Sequence, residues 1–336
     1  MIGALVITGF LGSGKTTLLR HLLGQREFSR TAVIINEFGE VGLDHDLVEA
    51  SADSFIELTT GCLCCKVRSD LVATIEELLK RRDRNEVPPF TRIVIETSGL
   101  ADPAPILQTL IAEPGIAGRI ALAGVVTTVD AVNGACTLDR EYISVKQVAL
   151  ADRLVLTKSD LAGAAEPRLL NRLAELNAAA PVAFAHHGKV DPRVFEGDAL
   201  DARARPVDID SWLVGAAGSH AHLHERHDTE IQTCATVREE PIRAVALTLF
   251  LETLAEHCGG GLLRLKGIVN IAECPDRPAV VHGVQHVFHP PAWLARWPSE
   301  DRRSRIVCIT RRIPRRWIEL LLDALDIEVT SVSDRR

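Results

Sequence analysis

Apolar runs alternate with amphipathic segments through the first half of the chain. Six runs have the uninterrupted apolar character of strands that are buried on both faces of a parallel sheet: ALVITGF, TAVIINEF, RIVIETSG, IALAGVVTTVD, DRLVLTKSD and PVAFAHH. Between them, positions such as Leu71, Ile75 and Leu78 repeat at the spacing of one helix face. The pattern predicts an open α/β fold, a parallel sheet with helices on both faces and right-handed crossovers.

The pattern changes twice further along the chain. Over residues 191–236 the periodicity is lost and Gly and Asp are frequent, which predicts a linker or variable loop. Over 237–330 we predict the strand IRAVALTLF, the helix LETLAEHC, the strands LLRLKGIVNIAE, AVVHGVQHVF and RSRIVCIT, and the helix RRWIELLLDAL. The sequence therefore predicts two domains, an α/β domain over 1–190 and a smaller α+β domain over 237–330.

Composition and charge narrow the class of protein. Of the 336 residues, 46% are apolar and 25% are charged, and the net charge of -7 provides no field that would attract nucleic acid. No apolar run approaches the ~18 residues of a membrane span, and no basic leader or cleavage site follows Met1. We expect a cytoplasmic protein without nucleic-acid or membrane partners.

The segment GFLGSGKTT follows the first predicted strand and opens a predicted helix. It matches G-x-x-x-x-G-K-[ST], in which backbone N–H groups and the helix N-terminus bind phosphate, the lysine reaches the outer phosphates and the next hydroxyl ligates Mg²⁺. The predicted nucleotide-binding residues of this segment are Gly9, Gly12, Ser13, Gly14, Lys15, Thr16 and Thr17.

Two later segments complete a predicted nucleotide site. RIVIETSGL is an apolar strand that delivers Glu96 at its carboxyl end, followed by Gly99, whose N–H can meet a γ-phosphate. TKSD ends another strand in the order expected of the guanine-reading motif [NT]-K-x-D, so we assign Thr157, Lys158 and Asp160 to the base. An aspartate accepts two N–H donors from guanine that adenine does not offer together, which favours GTP over ATP. For hydrolysis we assign Lys15, Thr16, Glu96 and Gly99.

The segment GCLCC places three thiols, Cys62, Cys64 and Cys65, within four positions. Adjacent cysteines form a disulfide only with distorted geometry, whereas all three can converge on one borderline-soft cation such as Zn²⁺. No second cysteine or histidine pair lies nearby at motif spacing, which indicates an open, exchangeable metal site. A redox-sensing role and inert burial are the alternatives.

Acidic and histidine-rich segments could add metal ligands. Glu37 and Glu40 follow the second strand in the position of a switch segment, so γ-phosphate and Mg²⁺ could move either carboxylate toward the thiolates. A solvated acidic loop is the alternative. The tract HAHLHERH, with His220 to His227, is either a metal-capturing tract or a polar linker. In VHGVQHVFH we place His282 and His286 on one strand face and His289 on the other, packed rather than ligating.

Five elements in order resemble the CobW-type metallochaperone GTPases, a SIMIBI-class P-loop family, close to its YjiA branch: the P-loop, NEFGEVG, GCLCC, ETSGLADP and TKSD. The resemblance spans essentially the whole chain, including LLRLKGIV and VHGVQHVF. It implies a P-loop NTPase sheet followed by a CobW C-terminal domain, and GTP hydrolysis with Mg²⁺. One departure is Ile35, which stands where the YjiA branch carries an extra Glu.

Carried over by position, the resemblance implies that the P-loop residues hold phosphate and Mg²⁺, that Glu96 and Gly99 sense them, and that Cys62, Cys64 and Cys65 bind Zn²⁺ or Co²⁺. The hypothesis is a GTPase that delivers a metal ion to a client metalloprotein on hydrolysis, with a homodimer left open. A P-loop small-molecule kinase and a redox-sensing interaction protein are the rival hypotheses. The client and the physiological metal stay open.

Overall fold

A computed structural model describes residues 1–36, 55–60, 67–116, 118–162, 167–195 and 230–333. The chain divides into two compact units, Met1–Arg172 with Pro181–Gly197 and Leu173–Ala180 with Asp198–Arg336. Among the helices of these described ranges, none is long and apolar enough to cross a membrane. Several predicted metal ligands lie outside the described residues: Glu37, Glu40, Cys62, Cys64, Cys65 and the tract from His220 to His227.

The first unit is built on a sheet of seven parallel strands in the order β3-β2-β4-β1-β5-β6-β7. The strands are β1 (Ile2–Gly9), β2 (Thr31–Asn36), β3 (Phe55–Thr60), β4 (Arg92–Thr97), β5 (Ile120–Asp130), β6 (Arg153–Thr157) and β7 (Val182–Phe184). All six strands predicted in this half are confirmed. The seventh, β3, was not predicted, because Glu57 interrupts the apolar residues of FIELTT and leaves no continuous apolar run such as those in β2 and β4.

Helices in this unit follow the strands along the chain. They are α1 (Lys15–Leu23), α2 (Val67–Asp83), α3 (Ala104–Ala112), α4 (Gly134–Arg140), α5 (Tyr142–Ala149), α6 (Ser159–Ala162) and α7 (Pro167–Leu176), of which α7 continues beyond Arg172, where the first unit ends. On α1, Leu18 and Leu22 are fully buried against a core that includes Ile7 and Val126 of the central strands. Burying this face fixes the N-terminus of α1 at the end of β1.

The strand order determines where the functional groups meet. Strand β1 lies between β4 and β5, and Ile7 pairs with Glu96 on one side and with Val126 on the other. Since all the strands are parallel, their carboxyl ends share one edge of the sheet, where ligands bind in open α/β folds. The turns after β1, β4, β5 and β6 therefore start side by side.

The second unit contains an antiparallel sheet in the order β11-β10-β9-β13-β8, with β12 paired to β10. Its strands are β8 (Ile231–Arg238), β9 (Leu262–Val269), β10 (Ala279–Val284), β11 (Val287–Phe288), β12 (Ala292–Trp293) and β13 (Ser304–Arg311). Helices α8 (Ala244–Cys258) and α9 (Arg315–Ser333) share a hydrophobic core with it through buried Phe250 and Ile318.

Three expectations for this half differ from the structure. The predicted strand IRAVALTLF is wrong, since residues from Ala244 onward belong to α8, whose buried Ala246, Phe250 and Leu254 recur every four positions as on a helix face. Strand β8 occupies 231–238, most of which was expected to be linker. The strand predicted over AVVHGVQHVF is a hairpin, because Gln285 takes a positive φ of 55° and begins a turn.

The histidines of this hairpin are arranged differently from the prediction. His286 lies in the turn and not beside His282. The rings of His282 and His289 are in contact, with centroids 3.7 Å apart. The backbone N–H of His289 donates to the backbone carbonyl of His282 at 3.0 Å. Burial, together with the nearby charge of Arg264, lowers the pKa of His289 to about 4. His289 is therefore a neutral packing group at neutral pH.

Candidate functional site

The turn between β1 and α1 has the backbone geometry of a phosphate-binding loop. Gly9, Gly12 and Gly14 all have positive φ, at 140°, 71° and 87°. Gly14 immediately precedes α1, and no side chain of the described residues caps that helix N-terminus. Lys15 is buried, and its ammonium donates to the carbonyl of Phe10 at 3.3 Å, folded over the loop. Uncapped N–H groups and a lysine therefore share one concave turn, which suits an anion.

Two hydroxyls from neighbouring strands brace this loop. The Ser13 hydroxyl is 2.6 Å from that of Thr128 on β5, and the Thr157 hydroxyl on β6 donates to the Ser13 carbonyl at 2.6 Å. A Cβ on Gly9 would lie 2.3 Å from the Thr128 hydroxyl, so only glycine allows this approach. Thr157 thus supports the phosphate loop from the start of the TKSD segment, which gives a role to the threonine that replaces the commoner asparagine.

The carboxyl end of β4 reaches the start of α1. The Thr16 hydroxyl donates to a carboxylate oxygen of Glu96 at 2.7 Å, and Glu96 is buried. Gly99 presses against the phosphate loop, since a Cβ there would lie 2.6 Å from Cα of Leu11 and 3.1 Å from Nζ of Lys15. The four residues predicted for hydrolysis, Lys15, Thr16, Glu96 and Gly99, are therefore brought together by β1, α1 and β4.

This pair of oxygens fits a hard divalent cation. Mg²⁺ takes oxygen ligands and is usually held by one or two protein groups, with phosphate and water as its other ligands. The hydroxyl of Thr16 and the carboxylate of Glu96, in hydrogen-bond contact beside the phosphate loop, offer that donor chemistry. Among the described residues, no group of three or more His, Cys, Asp or Glu side chains is arranged to hold a metal ion.

The TKSD segment contacts Asp130, the last residue of β5, through Lys158. Lys158 has a φ of 57° and donates to the Asp130 carboxylate at 2.7 Å. Burial would raise the pKa of Asp130, but the hydrogen bonds from Lys158, Asn133 and Val132 outweigh it and lower the pKa. Asp130 is therefore an anion that fixes the ammonium of Lys158.

Asp160 faces the loop that follows β7. Its carboxylate accepts the backbone N–H of His187 at 3.1 Å and lies 3.1 Å from Nδ1 of the same residue. The backbone hydrogen bond from His187 lowers the pKa of Asp160, which keeps the carboxylate ionised. A Cβ on Gly188 would touch the methyl of Thr17 at 3.0 Å, so this loop also borders α1. Thr157, Lys158 and Asp160 therefore lie beside the phosphate loop.

Five residues around the site were missed by sequence reasoning: Thr128, Asp130, Lys146, Gln147 and His187. Only Asp130 carried a usable signal, since it ends an apolar strand as Glu96 does. The others act through contacts with residues far away in the chain, such as the 115 positions between Ser13 and Thr128. Their residue types have no motif spacing that would single them out.

Two known protein families match the two halves of the chain. The nucleotide-binding domain of the CobW/HypB/UreG family matches residues 3–184, and the C-terminal domain of the cobalamin synthesis protein CobW matches residues 231–326.

Similar proteins cover nearly the whole chain. The zinc chaperone YjiA of Escherichia coli strain K12 is 35% identical over 314 residues, which cover 93% of this chain and 95% of that protein. The zinc chaperone CobW of Pseudomonas aeruginosa is 34% identical over 345 residues, covering 92% and 87%. The crystal structure of the Zn(II)-bound YjiA GTPase from E. coli superimposes with a TM-score of 0.71 and 30% identity, over 96% of this chain and 98% of that one. The chain therefore belongs to the CobW/HypB/UreG family.

Proposed function

We propose that this protein is a GTP-dependent metallochaperone that binds Zn²⁺ or Co²⁺ at Cys62, Cys64 and Cys65 and passes the ion to a client metalloprotein on GTP hydrolysis. The observation that carries the proposal is the convergence of Lys15, Thr16 and Glu96 at one edge of the sheet. Relatives named as zinc chaperones, similar over nearly the full length, supply the metal half of the proposal.

The chain is a GTPase, and a role can be proposed for each residue of its site. The N–H groups around Gly12 and Gly14 and the ammonium of Lys15 bind phosphate oxygens, and the N–H of Gly99 meets the γ-phosphate. Thr16 and Glu96 would hold Mg²⁺, which would supply positive charge to the phosphate oxygens. These groups position and stabilise charge, which is most of what phosphoryl transfer requires of a protein.

Guanine is proposed to lie against the TKSD segment. Asp160 is ionised and has two oxygens that can accept two N–H donors, and the ammonium of Lys158 is held by Asp130. We propose that the stem of Lys158 lies over the base. To bind guanine, Asp160 exchanges its contact with the His187 ring for the base. A P-loop small-molecule kinase would need no groups that recognise guanine. The presence of Lys158 and Asp160 therefore favours the GTPase.

The strand order supports coupling between the nucleotide and the metal. Strands β2 and β3 are paired neighbours, and their last partners, Asn36 and Thr60, precede Glu37 and Cys62 by one and two positions. Strand β2 also pairs with β4, which carries Glu96. The segment with Glu37 and Glu40 thus begins between the metal motif and the nucleotide strand, where a response to γ-phosphate can alter the ligand set.

Metal titration in defined nucleotide states tests the proposal. Zn²⁺ and Co²⁺ affinities are measured by competition with a chelator for protein loaded with GDP or with a non-hydrolysable GTP analogue. We expect tighter binding in the GTP-analogue state, weaker binding in acid because the thiols must lose their protons to bind metal, and loss of the site in the Cys62→Ser, Cys64→Ser, Cys65→Ser variant.

The exposed Cys136 on α4 provides a matched control, and Cys136→Ser should bind metal normally. Equal affinities in the two nucleotide states would refute the switch. Poor metal affinity together with reversible thiol oxidation would favour the redox-sensing hypothesis instead.

A further inference from the structure

Helix α5 contacts the loop that carries Gly99. The side-chain amide of Gln147 donates to the carbonyls of both Gly99 and Ala101, each at 3.2 Å. The next residue toward the N-terminus, Lys146, forms an ion pair with Asp102 at the end of the same loop. One edge of α5 therefore holds the loop from Gly99 to Asp102 at three points.

The direction of the Gln147 side chain is determined by what it faces. Two carbonyl oxygens lie on one side, and only the NH₂ end of an amide can donate to both. Gln147 is fully buried, and its Oε1 accepts no hydrogen bond from the described residues. A buried acceptor without a partner is unfavourable, so its presence points to a function for the NH₂ donors.

Gln147 and Asp102 are themselves held by further hydrogen bonds. The backbone carbonyl of Gln147 accepts a hydrogen bond from the hydroxyl of Thr127 on β5 at 2.9 Å. Asp102 is anchored too, since its second carboxylate oxygen accepts the N–H of Ala104 at the start of α3 at 3.0 Å. Gln147, Lys146 and Asp102 thus join the loop to β5 and α3 through buried and part-buried contacts.

Both peptide groups around Gly99 are restrained. The carbonyl that follows its Cα is held by Gln147, and the carbonyl before it, that of Ser98, accepts the N–H of Ala101 at 3.1 Å. In a trans peptide the N–H of Gly99 points opposite to the Ser98 carbonyl, so the hydrogen bond from Ala101 to Ser98 fixes the direction of that N–H. Gln147 contributes by holding the carbonyls of Gly99 and Ala101, which follow Ser98 in this turn and flank Leu100. Gly99 at the same time presses against Leu11 of the phosphate loop.

We infer that Gln147, assisted by Lys146, is a positioning residue for GTP hydrolysis: it holds the turn from Gly99 to Asp102, whose geometry directs the Gly99 N–H, and so controls the contact of the loop with the γ-phosphate. This rests on the GTP binding proposed above. GDP has no γ-phosphate, so the contacts of Gln147 and Lys146 with this loop affect the binding of GTP and its hydrolysis and leave the binding of GDP unchanged.

The test compares two nucleotides in one set of variants. Gln147→Met keeps the length and volume of the side chain and removes both donors. Affinities for fluorescent GDP and for a fluorescent non-hydrolysable GTP analogue are measured with Mg²⁺ present, together with kcat. Two neutral hydrogen bonds of ordinary strength correspond to roughly a 30-fold change in an equilibrium constant. We expect the GTP analogue to bind roughly 30-fold more weakly and kcat to fall, with the GDP affinity unchanged.

Further variants separate positioning from general stability. Gln232→Met removes an equivalent amide-to-carbonyl bond, to Ile313 in the second unit, and should leave the ratio of the two affinities unchanged. Lys146→Met should lower the affinity for the GTP analogue relative to that for GDP, and Lys146→Arg should restore it. This pair keeps the inference testable if Gln147→Met does not fold.

Three results would overturn the inference: an unchanged ratio in both Gln147→Met and Lys146→Met, equal weakening of GDP and of the GTP analogue, or a ratio lowered by Gln232→Met as well. If the unaltered protein binds neither nucleotide, the proposed GTP site itself fails, which is a distinct outcome.

Discussion

Thr157 offers a direct test of how the phosphate loop is supported. Its hydroxyl donates to the carbonyl of Ser13 at 2.6 Å and also lies 3.2 Å from the carbonyl of Val129, in a side chain that is only 5% exposed. Thr157→Val replaces the hydroxyl by a methyl group of nearly the same size. The loss of one ordinary hydrogen bond, with a buried carbonyl left short of a donor, costs about 1–3 kcal/mol.

We expect most of that cost to appear in nucleotide binding, because the hydroxyl holds the loop that binds phosphate. A loss of ~1.4 kcal/mol raises Kd about tenfold, and GDP and a GTP analogue should be affected equally because both present phosphates to this loop. Isothermal titration calorimetry with each nucleotide measures the change. Thr157→Ser retains the hydroxyl and should stay within about twofold of the unaltered protein. If Thr157→Val binds both nucleotides as the unaltered protein does, the hydroxyl does not support the loop and the reasoning fails.

Three further predictions concern single groups. Gly99→Ala places a Cβ 2.6 Å from the backbone of Leu11, and phosphate-release assays should show hydrolysis lowered about 100-fold; a near-normal rate would contradict the close approach. The pKa of His289 is about 4 in the folded protein against 6.5 in the unfolded chain, so protonation of His289 does not lower the stability of the fold above pH 6.5 and lowers it as the pH drops toward 4. An NMR titration of its ring with a midpoint near 6.5 would disprove this. Burial raises the pKa of Cys234 to about 11, so mass spectrometry after brief alkylation at pH 8 should find exposed Cys136 modified at least ~10 times faster, and equal rates would argue against that burial.

Strands with strong local patterns could be predicted, and those with weak ones could not. β1 is a long apolar run, β4 has three consecutive β-branched residues and β6 ends in a recognisable motif, so their places along the chain were clear from the residues. The apolar residues of β3 are interrupted by Glu57, and this segment becomes a strand because it pairs with β2 over six residues. The apolar start of α8 was ambiguous, since a short apolar run suits a strand or a buried helix equally well until its partners are known.

The chemistry of the site was predicted from residue types, and its supports were not. Lys15, Thr16, Glu96 and Asp160 carry groups whose reactivity is intrinsic, and motif spacing places them at strand ends, so the kind of ligand follows from the chain alone. Gln147 has no such signature, since an amide on a helix is usually a surface group. It becomes a positioning residue because folding buries it beside the carbonyls of Gly99 and Ala101.

The order of motifs along the chain was enough to predict a nucleotide-binding α/β protein with a candidate metal segment, because the loop geometry and ligand chemistry that these motifs encode are local. Which groups meet depended on the sheet. Placing β1 between β4 and β5 brings Thr128 to Ser13 across 115 positions, and placing β2 between β3 and β4 puts the candidate metal segment next to the strand of Glu96. Such contacts arise only when distant strands pair and bury their apolar faces together, a free-energy gain that no short stretch of sequence contains.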